Sequence, residues 1–96
     1  MKAILNTLLL IISLNTFGQT TVKGKITDET GQPLPGTNIL IVGTSVGTSA
    51  DFNGEYVLST EQQPPFEIRI SYIGFESRTA EVTTTNQTIN FEMKEV

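Results

Sequence analysis

The strictest constraint in this chain is a period of two. Phe66, Ile68, Ile70 and Tyr72 alternate with Glu67, Arg69 and Ser71. In an extended chain that pattern gives one apolar and one polar face, whereas a helix repeats its apolar residues every three to four. Val22, Gly24 and Ile26 alternate in the same way with Lys23, Lys25 and Thr27, as do Tyr56 and Leu58 with Glu55, Val57 and Ser59. Between them stand turn-forming runs: Asp28 to Gly36 with two prolines and two glycines, Glu61 to Pro65, Gly74, and Thr83 to Gln87. A strand over Thr37 to Val42 would turn Ile39 and Ile41 inward, leaving Leu40 and Val42 as a second apolar face for something else to cover. Phe75 to Val82 reads as a returning strand and Thr88 to Lys94 as a last one, with Ile89, Phe91 and Met93 inward. Six or seven short strands with Gly, Pro, Asn and Asp turns predict an all-β sandwich or small barrel. A transmembrane barrel would need at least eight strands of about 9 to 11 residues and aromatic girdles, and most of these are shorter.

The run Gly43 to Tyr56 carries two turn signals around a segment too short and polar for a helix, and predicts a short edge element. Gly43 and Gly47 are expected to supply conformations that side chains resist, and Asp51 with Asn53-Gly54 to close a turn through bonds to backbone N–H groups. Gly31 and Gly36 serve the turn after the first strand. In Tyr72-Ile73-Gly74-Phe75 aromatic residues crowd a turn. Tyr72 and Phe75 could form a small contact surface, or they could close one end of the core with Gly74 as the hairpin bend; the second reading is the expectation.

The N-terminus is of another kind. Lys2 gives a positive start, Ala3 to Leu14 is mostly apolar, and Thr16 and Gly18 are small residues spaced as a signal peptidase accepts them. The apolar stretch of about 12 residues falls short of the roughly 20 that span a membrane, and its apolar residues surround a helix instead of forming a stripe. Residues 1–18 are therefore expected to be a cleaved signal peptide and residues 19–96 one small domain. Without cysteine, an exported domain of this size has neither a disulfide framework nor a lipid-bearing N-terminal cysteine, and relies on packing. A formal charge of −4 argues against nucleic acid as a partner.

Chemistry has few places to reside. With no histidine and no cysteine, the commonest general base, the thiolate nucleophile and most zinc sites are missing. Lys23, Lys25 and Lys94 fall on outward strand positions, where burial cannot lower a lysine pKa for a serine–lysine pair. Glu67, Glu76, Glu81 and Glu92 also fall outward, as charges that keep sheet edges soluble. Asp51-Phe52-Asn53-Gly54 is like the start of a calcium loop, but the full pattern requires further ligands at fixed positions and a closing glutamate, and a turn is the expectation. Asn86-Gln87-Thr88 fits a glycosylation sequon, a pattern common by chance. No catalytic residue, metal, cofactor or small-molecule substrate is assigned.

Taken in order, Val22-Lys-Gly-Lys-Ile-Thr-Asp28, Gly31-Gln-Pro-Leu-Pro-Gly36, Val42-Gly-Thr44, Gly47-Thr-Ser-Ala-Asp51, Asn53-Gly-Glu-Tyr56 and Ile70-Ser-Tyr-Ile-Gly-Phe75 resemble the carboxypeptidase-regulatory-like domain. The resemblance covers Thr21 to about Met93; Ala50 stands where a threonine is common. It implies a small transthyretin-like (prealbumin-like) β-sandwich of about seven strands without peptidase activity. A signal peptide directly before such a domain looks like the N-terminal extension of SusC-type TonB-dependent outer-membrane receptors of Bacteroidetes, with Phe91 to Val96 resembling the approach to the plug. This implies a non-catalytic periplasmic domain of a nutrient-uptake receptor, acting by contacts with the plug and barrel or another periplasmic protein. The alternative is a stand-alone secreted interaction or carbohydrate-binding module.

Overall fold

A strand with one apolar face must find a second apolar face to cover it, and here two sheets cover each other. The computed structural model describes residues 18–96; the expected signal peptide lies, apart from Gly18, outside them. Every regular element among the described residues is a strand: β1 (Thr20–Thr27), β2 (Asn38–Ile41), β3 (Gly47–Ser49), β4 (Glu55–Thr60), β5 (Phe66–Ser71), β6 (Arg78–Val82), β7 (Asn86–Thr88) and β8 (Phe91–Glu92). One sheet runs β4-β1-β7, with β8 also on β1, and the other β3-β2-β5-β6. β4 is antiparallel to β1, whereas β7 and β8 are parallel to it. The fold is an all-β sandwich, one of the two forms that the short alternating strands predict.

The inward residues are those of the period of two: Val22 and Ile26 from β1, Tyr56 and Leu58 from β4, Ile39 and Ile41 from β2, and Phe66, Ile68 and Ile70 from β5, with Val82 and Met93 between them. Each aliphatic side chain buried this fully stabilises the fold by about 1.5–3 kcal/mol relative to exposure. Buried polar groups are paired. Thr20 Oγ1 donates to the Gln62 carbonyl at 2.8 Å and Thr37 Oγ1 to the Leu34 carbonyl at 2.8 Å.

The end of the chain departs from expectation. The single strand expected over Thr88 to Lys94 is two short strands, and the expected turn Thr83 to Gln87 already enters β7 at Asn86. Thr21 pairs with Asn86 and Ile26 with Phe91, so both pieces follow β1 in one register and are interrupted between Thr88 and Phe91. Gly24 explains the break. A Cβ on Gly24 would fall directly on the Ile89 carbonyl oxygen and 2.7 Å from its carbon. Tyr56, opposite Gly24 in register, reaches across the gap and donates its hydroxyl to that oxygen at 2.6 Å. The Lys25 N–H, left without a backbone acceptor, donates to Asn90 Oδ1 at 2.8 Å. Gly24 thus serves as an opening in the middle of β1, which alternation alone cannot distinguish from a weak inward residue.

Two further boundaries moved. The strand expected from Phe75 begins at Arg78, because residues 74–76 pair with the chain end instead: Glu76 N–H donates to Lys94 O at 2.8 Å and Phe75 bridges Glu95. β2 is shorter than Thr37 to Val42, and its outward Leu40, with Val42 just beyond its end, stays about one-third exposed.

Burial raises the Tyr56 phenol from 10.0 to about 12. The unfolded chain therefore ionises this tyrosine first as pH rises. Its contribution to stability is fully present below pH 10 and is lost between pH 10 and about 12; urea titrations across that range should show this fall in the native chain and a smaller one in Tyr56→Phe. At neutral pH, Tyr56→Phe strands the Ile89 carbonyl and is expected to cost about 1–3 kcal/mol. Gly24→Ala, which must displace backbone, is expected to cost about 2 kcal/mol or more, lowering Tm by roughly 8–16 °C in a thermal melt.

Candidate functional site

The register fixes which loops meet. Because Lys25 pairs with Glu55, Asn38 with both Ser49 and Ser71, Ile70 with Arg78 and Thr27 with Glu92, four segments gather at one end of the sandwich. They are the β1–β2 loop, the β3–β4 turn, the β5–β6 loop and the residues after β8. The β2–β3 turn, the β4–β5 loop with its cis Pro64-Pro65 bond, and the start of β1 lie at the other end.

At the first end Tyr72 to Phe75 forms a tight turn in which the Phe75 N–H donates to Tyr72 O at 3.0 Å. Gly74 has φ +86, the conformation a type II turn requires at its third position. Tyr72 and Phe75 are half-buried against the core, their ring centroids 5.7 Å apart at 47°. Ile73, at the outward second position, is 91% exposed. The aromatics thus close the core, as the second sequence reading has it, while the residue offered to solvent is Ile73. The sequence carries no signal for this, since an apolar residue in a turn reads the same whether it packs on the core or stands in water.

Two aspartates build the neighbouring turns in the same way. Asp51 Oδ1 accepts from the N–H groups of Asn53 at 2.9 Å and Glu55 at 3.0 Å, and the Gly54 N–H donates to Asp51 O at 2.9 Å. Asp28 Oδ1 accepts from Thr30 N–H at 2.8 Å, Thr30 Oγ1 at 2.7 Å and Gln32 N–H at 3.0 Å, and the Gly31 N–H donates to Asp28 O at 3.1 Å. The Thr30 hydroxyl bond, with the backbone donors, holds the Asp28 carboxyl below its usual value. Gly31 and Gly54 take positive φ at matching places, and Asn53 contributes a backbone N–H. The parallel is visible as Asp-x-x-Gly in the sequence, yet only the second copy stood out, because two prolines follow the first. Phe52, second in its turn as Ile73 is in its own, is 92% exposed.

The remaining glycines differ in role. Gly36 and Gly43 adopt positive φ, and the Tyr72 ring lies 3.9 Å from where a Cβ on Gly36 would stand. Gly47, expected in a turn with a resisted conformation, instead belongs to strand β3 without positive φ. It lacks room: a Cβ there would stand 2.5 Å from the Ile39 carbonyl oxygen on β2.

Glu67, Glu76, Glu81 and Glu92 are exposed, as are Lys23, Lys25 and Lys94. Among the described residues no three of the types His, Cys, Asp and Glu gather closely enough to hold a metal ion. What this end offers is a surface, with Phe52 beside a shallow cleft of about 530 Å³ lined by Pro35, Gly36, Ala50 and Asp51.

The sequence profile of the CarboxypepD_reg-like domain matches residues 22–96. The TonB-dependent receptor SusC of Bacteroides thetaiotaomicron is 40% identical over 68 residues, which are 70% of this chain and 7% of the receptor. The TonB-dependent receptor P3 of Formosa agariphila is 33% identical over 84 residues, 85% of this chain and 8% of the receptor. The chain therefore spans less than a tenth of the length of these two receptors. Among solved structures, 3-chlorocatechol 1,2-dioxygenase of Rhodococcus opacus 1CP superposes with a TM-score of 0.62 at 11% identity, over 84% of this chain and 61% of that one. At that identity the likeness is one of fold and carries no reaction.

Ile73→Ser and Phe52→Ser should change stability by no more than about 0.5 kcal/mol, as exposed positions do. Phe75→Ala, which removes a half-buried ring from the core, should cost about 1–3 kcal/mol. Urea denaturation of the three variants separates the surface residues from the closing ones.

Proposed function

We propose, since this chain belongs to the CarboxypepD_reg-like domain family, that it is the N-terminal domain of a TonB-dependent outer-membrane receptor, non-catalytic and working on the periplasmic side by contacts with protein. The observation that carries this reading is the pattern of relatives. TonB-dependent receptors match this chain over most of its length, while the chain spans only a small share of theirs. The signal peptide expected from the sequence over residues 1–18 would fit the front of such a receptor. The surface fits as well: exposed lysines and carboxylates, a paired polar interior, and apolar side chains presented by loops of one end.

A carbohydrate-binding module needs exposed aromatic platforms. Tyr72 and Phe75 are half-buried against the core, which leaves Phe52 as the single exposed aromatic among the described residues.

The coding sequence beyond codon 96, together with fractionation of the tagged gene product, tests the proposal. The expected result is an open frame encoding a plug and a barrel, with the product in the outer membrane. A stop codon and a soluble exported product would reject it.

A further inference from the structure

The two ends of the sandwich differ in character. Among the described residues two large apolar side chains within loops keep more than nine-tenths of their surface in water: Phe52 at 92% and Ile73 at 91%. Both lie at the end where the backbone reaches Val96, on two different segments. Apart from the terminal Val96, the next most exposed, Val57 at 59%, lies in mid-strand on β4. Both are linked to the chain end through the fold. The Val96 N–H donates to Gly74 O at 3.0 Å, beside Ile73, and Gly36 lies between the Tyr72 ring and the cleft that Phe52 lines. Around them this end carries Asp28, Glu29, Asp51, Glu76 and Glu95 against Lys94 and Arg78, whose guanidinium donates to the Glu92 carbonyl at 2.9 Å.

We infer that this end is a docking surface for the polypeptide that continues past Val96 in the same receptor, through a face bearing aliphatic side chains and a rim of lysine or arginine. The inference rests on the receptor reading above. Size favours a tethered occupant over a free one. Stable association of separate proteins takes about 800 Å² from each partner, more than two side chains and a shallow cleft offer. A segment joined to Val96 meets the surface at an effective concentration in the millimolar range, so a few apolar contacts suffice to hold it. The acidic rim sets the sign of the partner's charge and discourages acidic faces from docking.

These 96 residues hold no cysteine, so each introduced one is the sole thiol of this segment, and peptide mass spectrometry reads that site separately from any thiol elsewhere in the receptor. Ile73→Cys, Phe52→Cys and, as control, Val57→Cys are introduced separately into the 96-residue chain and into the purified full-length receptor, and maleimide labelling at each site is followed by peptide mass spectrometry. Positions 73 and 52 should label at least about fivefold more slowly in the receptor, with position 57 unchanged. Equal rates at 73 and 52 in the two proteins would overturn the inference and leave the receptor reading intact. Protection that already appears in the 96-residue chain and grows with its concentration would assign the surface to a second copy. Protection in native membranes that vanishes on purification would assign it to a separate protein; either result overturns docking of the following segment. A stop after codon 96 rejects the receptor reading itself, a distinguishable failure.

Discussion

The hydroxyl of Tyr56, bonded to the Ile89 carbonyl across the vacant side of Gly24, organises one sheet of this sandwich. β1 carries β4 on one edge and the β7–β8 pair on the other, and Gly24 is the place where the two edges communicate through the sheet's inner face. The short parallel pairings of β7 and β8 would be weak alone, with three and two register pairs. The Tyr56 bond and the Asn90 side chain on Lys25 N–H hold the stretch between them in register. A buried acceptor left unpaired costs about 1–3 kcal/mol, more than the roughly 0.5–1.5 kcal/mol that a typical bond contributes net, so glycine, tyrosine and carbonyl act as one unit.

That register has a functional consequence. Because β8 follows β1 to its C-terminal end, the last residues emerge among the three loops that the strand pairings gather there. Glu76 and Gly74 then bind the chain end by backbone bonds, diverting residues that β6 would otherwise have taken. The exit of the chain and the exposed Phe52 and Ile73 are brought to one place by hydrogen bonds that lie far from one another in sequence.

Much of this architecture is legible in the residues. The inward set of β4 and β5 is written in strict alternation, and the turn at Asp51 in the short side chain that satisfies backbone donors two and four residues on. Gly47 and Gly24 mark where legibility stops. Both sit in strands, and both are glycine because another strand's carbonyl occupies the space of a side chain, a fact that depends on residues far away in sequence. Ile73 and Phe52 stayed obscure for a related reason: an apolar residue in a turn looks the same in sequence whether it folds back onto the core or stands in water.

The sequence by itself determined that the chain is all-β, where its strands face inward and where its turns fall, since a period of two and the conformational limits of glycine, proline and aspartate are local properties of the backbone. Only the tertiary structure decided that the last strand would break at Ile89, that residues 74–76 would hold the chain end, and that two exposed apolar side chains, Phe52 and Ile73, would share one end with Val96. Those outcomes depend on which carbonyl finds which donor across the sheet, and that choice is made by packing between distant segments.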